Sequence, residues 1–184
     1  HRAGTDSDDY RDALGTVLGH LRRDLVESLS PDVAARTLLV VTADHGHVDT
    51  PASENVAIGG LDDVEPHLAR DSAGDPVLAV GSPRQLQFRT RAGHVEALRS
   101  SLTAQLDCAT FDREELLATD LFGDRPASAT FERRLPDLLA VPRERGVWYD
   151  DHHDELSLVG KHGGGHPEEM LVPFAAARVS ELRG

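Results

Sequence analysis

Thr37-Leu38-Leu39-Val40-Val41-Thr42-Ala43-Asp44-His45-Gly46 is the stretch whose reading decides the fold. Six β-branched and apolar residues follow one another without polar alternation, which predicts a strand buried on both faces. The strand stops at Asp44-His45-Gly46, and the carboxyl ends of such strands are where open α/β sheets bind their ligands. Upstream, Tyr10, Ala13, Leu14, Val17, Leu18, Leu21, Leu25 and Leu29 recur at steps of three and four residues. That spacing predicts an amphipathic helix over 10–29, with Pro31 just past its end. A helix feeding a fully buried strand is the pattern of an α/β fold, and the expectation is a helix packed on a mainly parallel sheet.

Residues 49–75 are rich in Asp, Gly, Pro and Ser and read as a loop beside this strand end. Strands are expected over 76–80 and 86–90, separated by Gly81-Ser82-Pro83. A helix is marked by Val95, Leu98, Leu102 and Leu106, then a short strand over 107–111 and an acidic helix over 113–121 that closes at Phe122-Gly123-Asp124. Further strands are expected over 138–141 and 147–149. This alternation suits a small α+β subdomain inserted into the main fold. The expected organisation is therefore a metal-binding α/β core over 1–75, an inserted subdomain over 76–150, and a return to the core over 151–184. The return combines the turn Gly160–Gly165 with Met170-Leu171-Val172-Pro173-Phe174-Ala175, read as a last strand. No internal repeat is visible.

The chain has 184 residues, 39% of them hydrophobic, enough for one sizeable core. Its formal net charge of −13 argues against binding nucleic acid polymers, whose phosphates attract basic surfaces. Lys161 is the single lysine, the other positive residues are Arg, and Asp outnumbers Glu. An Asp-rich, Lys-poor surface fits a halophilic protein, whose mutual carboxylate repulsion is screened at high salt; a high-GC genome is the alternative source of Arg over Lys. Cys108 is the only cysteine, so no intrachain disulfide can form and a reducing, cytoplasmic setting is expected. No apolar run approaches the roughly 20 residues that span a bilayer. Because the chain opens on His1, further sequence, including any targeting segment, is expected upstream.

Asp44 and His45 offer a carboxylate oxygen and an imidazole nitrogen, suitable donors for Zn²⁺ or Mn²⁺, and Gly46 lets the chain turn tightly beside them. A capping Asp and a surface His would look the same in isolation. His162 sits in Lys161-His162-Gly163-Gly164-Gly165-His166-Pro167, where backbone without side chains admits a metal or phosphate closely. A solvent-exposed glycine loop is the alternative. His1 carries no signal alone, but His1-x-x-Gly4-x-x-Ser7 precedes the helix, and the three motifs occur in order.

In that order they resemble the alkaline phosphatase superfamily, and within it the type I phosphodiesterase and nucleotide pyrophosphatase branch. The resemblance implies an alkaline-phosphatase-like sheet flanked by helices and two divalent metal ions, Zn²⁺ with Mn²⁺ as the alternative. One ion would be held by an upstream Asp, by His1 four residues after it, and by His162 of the Gly160-Lys161-His162-Gly163 motif. The other would be held by Asp44 and His45 with a further upstream Asp and the nucleophile. It also implies a Thr or Ser nucleophile before His1, which attacks phosphorus and forms a covalent intermediate that water then releases. The substrate would be a small phosphate ester or nucleotide. His47, His152, His153 and His166 match no ligand position; His47 and His166 read as ordinary polar loop residues, with a supporting place beside the site as the alternative.

Three other readings compete. A cofactor-independent phosphoglycerate mutase shares the Thr42-Ala43-Asp44-His45-Gly46 strand end, but its last metal histidine follows the Asp-His pair closely, whereas His162 comes a subdomain later. A sulfatase differs in a modified nucleophile upstream of His1. A non-catalytic, metal-stabilised binding domain would lack that nucleophile altogether. Oligomeric state is not legible in the sequence.

Overall fold

The structure, a computed structural model, describes residues 1–123, 126–143, 146–149 and 157–183. Helix α1 (Asp8–His20) opens on Ser7, whose side chain accepts from the Tyr10 backbone N–H, and continues into a π-helical turn, Leu21–Val26. After the short α2 (Pro31–Ala34) comes β1 (Leu38–Thr42), the strand of the opening motif. It pairs antiparallel with the last strand, β10 (Phe174–Arg178), with Val40 opposite Ala176.

The largest sheet has four strands, β4 (Val80–Ser82), β5 (Gln85–Phe88), β6 (Cys108–Asp112) and β7 (Leu138–Pro142), in the spatial order β4-β5-β7-β6. All its pairings are antiparallel. Along β5 the sequence alternates Gln-Leu-Gln-Phe, which turns Leu86 and Phe88 to one face. Both are buried against α3 (Val95–Gln105), which contributes Leu98 and Leu102. Burial of each such side chain contributes about 1.5–3 kcal/mol, so this face of the sheet is the main core. On the other face Leu139 packs with Leu116 of α4 (Arg113–Leu117) and Leu135, the residue after α5 (Ala129–Arg134). Asp112 caps α4 in a reciprocal pair with Glu115.

Two small ladders connect the segments around the site. β2 (Val48–Asp49) pairs antiparallel with β9 (Gly160–Lys161), and β3 (Asn55–Ala57) pairs with β8 (Val147–Tyr149). The mixed α/β fold with its sheet and flanking helices is as expected, but several particulars differ. Among the described strands only β3 and β8 run parallel, because β1 meets the returning end of the chain, not a neighbour reached by a crossover helix. The apolar residues of β1 are not buried on both faces: Leu38 is 63% and Val40 46% exposed, and only Leu39 packs against Val26, Ala34 and Val179. Helix α1 buries none of its residues and leaves Leu14, Val17 and Leu18 exposed. The last strand begins at Phe174, four residues later than expected, because Pro167 starts α6 (Pro167–Met170), capped by His166, and Pro173 lacks a ladder donor. Strand β4 likewise starts at Val80 and takes in Gly81 and Ser82. Among the described residues no helix is long and apolar enough to cross a membrane.

Candidate metal centre

Four imidazoles converge where β1, β2 and β9 end. The His45 and His162 rings stack with centroids 3.6 Å apart and planes 11° from parallel. His47 lies 4.5 Å from His1 and 5.2 Å from His45, and His1 lies 5.4 Å from His162. Of the residues singled out from the sequence, His1, His45 and His162 are thus brought together across 161 positions of chain, and Asp44 stands at their edge.

Local contacts fix each ring. The His1 Nδ1–H donates to the Gly160 carbonyl at 2.7 Å, and the His1 carbonyl accepts from the Val159 and Gly160 N–H groups. That arrangement leaves the His1 Nε2 lone pair free to bind a cation. Asp49 holds the same segment in place by accepting from the Thr5 N–H and hydroxyl. The His45 Nδ1–H donates to the Gly46 carbonyl at 2.9 Å, and its Nε2 lies 3.6 Å from Asp44 Oδ2. Asp44 and His45 therefore turn one oxygen and one nitrogen to a common region. The Asp44 carboxyl is held below the usual carboxylate range by hydrogen bonds from its own and the His45 backbone N–H.

Close packing explains the glycines. A Cβ at Gly46 would overlap the Glu168 carbonyl, so only glycine lets the Asp44-His45 turn meet α6. Gly163, at φ +111°, adopts backbone open to glycine, and a Cβ there would overlap Ser82 of β4. The turn after His162 is braced by Glu169, whose carboxylate accepts from the Gly164 and His166 N–H groups and from Arg84 Nε at 2.9 Å. Arg84 and Glu169 are both buried, and the pair ties the four-stranded sheet to the His162 turn. Burial opposes ionisation of Glu169, yet the Arg84 guanidinium and the two N–H groups hold its carboxyl below the ordinary range. Next to His162, the buried Lys161 donates to Asn55 Oδ1 at 2.7 Å, and burial lowers its ammonium to about 8.

His47, read from the sequence as a loop residue with a place beside the site as the alternative, lies in the loop before β2 and beside the site: one nitrogen each from His1, His47 and His162 lie within 4.8 Å of one another, and no other group of three or more metal donors occurs among the described residues. Its Nε2 is buried without a hydrogen-bond partner. Burial also lowers the basicity of His47 and His162, which favours the neutral form that binds metals. His166 instead caps α6, its Nδ1 accepting from the Glu168 N–H. His152 and His153 fall outside the described residues.

The comparisons with known proteins address the family and the fold. A sequence model of the type I phosphodiesterase / nucleotide pyrophosphatase family matches residues 1–165. The chain belongs to that family. Human ectonucleotide pyrophosphatase / phosphodiesterase 5 has a similar fold, with a TM-score of 0.64 at 16% identity over 96% of this chain. The murine protein of the same name, in an inactive form in complex with AMP, superposes with a TM-score of 0.63 at 19% identity, again over 96% of this chain. In both cases the chain spans 43% of the length of the structure it matches. Among curated proteins none matches the sequence significantly.

Proposed function

We propose that this chain carries part of the active site of a metal-dependent hydrolase of phosphate esters, acting on phosphodiester or nucleotide pyrophosphate bonds. The observation that carries the reading is the convergence of His1, His45 and His162, with Asp44 beside them, in a chain of this family. The donor set fits divalent cations: imidazoles with engaged Nδ1 atoms, a carboxylate, and a buried nitrogen that lacks a partner among the described residues. His1 and His162 would hold one ion, and Asp44 and His45 the other. When bound, a pair of such ions neutralises charge on the transferring phosphoryl group and its attacking and leaving oxygens.

The protein's own contribution is orientation. Gly160 and Gly46 carbonyls set the tautomers of His1 and His45, and Glu169 fixes the turn behind His162. A Thr or Ser nucleophile upstream of His1 completes this proposal. The AMP bound in the murine relative supports a nucleotide-type substrate. The imidazole-rich donors favour Zn²⁺ over Mn²⁺. The Asp-rich, Lys-poor composition supports a protein adapted to high salt, and the lone, buried Cys108 supports a reducing compartment.

The test is hydrolysis by the full-length protein of bis-p-nitrophenyl phosphate against the mono-ester, after chelation and readdition of Zn²⁺ or Mn²⁺. Faster bis-ester cleavage that chelation abolishes and Zn²⁺ restores is expected. His45→Ala is expected to lower kcat/KM by about two orders of magnitude or more. Faster mono-ester cleavage, or full activity after chelation, overturns the reading.

A further inference from the structure

The short ladder that brings β2 to β9 also decides what faces His162. Its register pairs Val48 with Lys161, so His47 and His162 stand at matching positions just beyond its last pair. Their ring centroids are 5.6 Å apart, and His1 lies beside both. Three imidazoles thus meet, and among the described residues no acid, hydroxyl or carbonyl satisfies the buried His47 Nε2. A buried polar atom without a partner costs about 1–3 kcal/mol. A divalent cation among the three rings would remove that cost.

We infer that His47 is a direct ligand of the ion held by His1 and His162, so that this chain supplies that ion with three imidazole donors. The inference rests on the metal-hydrolase reading above and goes beyond it, because the family resemblance assigns no ligand to this position. Three imidazoles together with the upstream Asp that the resemblance implies make four protein donors, and substrate would enter by expansion to the five-coordinate geometry that zinc sites reach in the transition state. A nitrogen-rich set also separates the two ions. The ion at His1, His47 and His162 is the tighter and more Zn²⁺-selective, whereas Asp44 and His45 supply two donors and a harder carboxylate to the other.

Competitive Zn²⁺ titration of the full-length protein tests this without measuring turnover. The parent protein should bind two ions. His47→Ala should weaken one of them by more than about 100-fold, beyond what loss of a supporting outer-shell partner causes. His45→Ala should weaken the other ion and leave the first unchanged. Should His47→Ala fail to fold, the parent protein suffices: with ¹⁵N-labelled histidine, the Nε2 resonances of His1, His47 and His162 should move together on Zn²⁺ addition. A weakening below 100-fold, or a His47 Nε2 that does not respond, overturns the assignment and leaves the hydrolase reading intact. A parent protein that binds no Zn²⁺ sinks both.

Discussion

Strands β7 and β1 have nearly the same sequence, Leu-Leu-Ala-Val-Pro and Leu-Leu-Val-Val-Thr, and opposite environments. In β7, Leu138, Leu139 and Ala140 are buried, because β5 and β6 flank the strand, α3 covers one face and α4 with Leu135 covers the other. In β1, Leu38, Val40 and Val41 are exposed, because among the described residues β10 is its single partner and only Leu39 joins a cluster. An apolar run therefore records a strand's capacity to be covered on both faces. The cover itself is a property of its neighbours.

The largest expected effect lies where the four-stranded sheet of β7 meets the His162 turn. Glu169→Ala leaves the Arg84 charge buried without its carboxylate and should cost about 3–5 kcal/mol. Urea denaturation measures it, and a cost under 1 kcal/mol would show that the sheet and the His162 turn are not tied through this pair. The second experiment compares the regions directly. Leu98→Ala in the core beneath the four-stranded sheet should cost about 2–5 kcal/mol, and Val40→Thr on the β1–β10 ribbon under about 0.5 kcal/mol. Equal costs would mean that the ribbon is covered in solution, and the contrast would vanish.

The third experiment concerns the edge strand β6. Burial raises the Cys108 thiol from 9.0 to about 11, with Asp107 adding to the rise and Arg143 opposing it. A group whose folded value is raised stabilises fully below its unfolded value and loses that contribution as pH climbs through the folded one. Stability should thus decline by roughly 2 kcal/mol between pH 9 and 11, and Cys108→Ala should flatten the decline. An identical pH slope in parent and variant would place the thiol in water and weaken the description of this region as a closed core.

Much of the fold was legible because local rules agreed with tertiary ones. The alternation Gln85-Leu86-Gln87-Phe88 and the spacing Val95, Leu98, Leu102 mark a strand and a helix whose apolar faces meet. The α1 segment was legible as a helix, but not its surroundings, since periodicity reports a stripe and not what covers it. Strand direction was misjudged for the same reason: β1 pairs with a segment more than 130 residues away, a distance no local pattern encodes. At the site, His1, His45 and His162 were legible through motif order, and the structure brings them together. His47 was not, because its place depends on the register between β2 and β9, which is fixed only when Val48 meets Lys161.

Glu169 gives the glycine turn a particular thermodynamic character. Consecutive glycines are the costliest residues to immobilise, and a turn left loose would charge that entropy against every ligand it met. Here the carboxylate grips Gly164 and His166 once the chain has folded, so the penalty is settled before any encounter. The His162 side chain is thereby held on a turn whose backbone is already ordered.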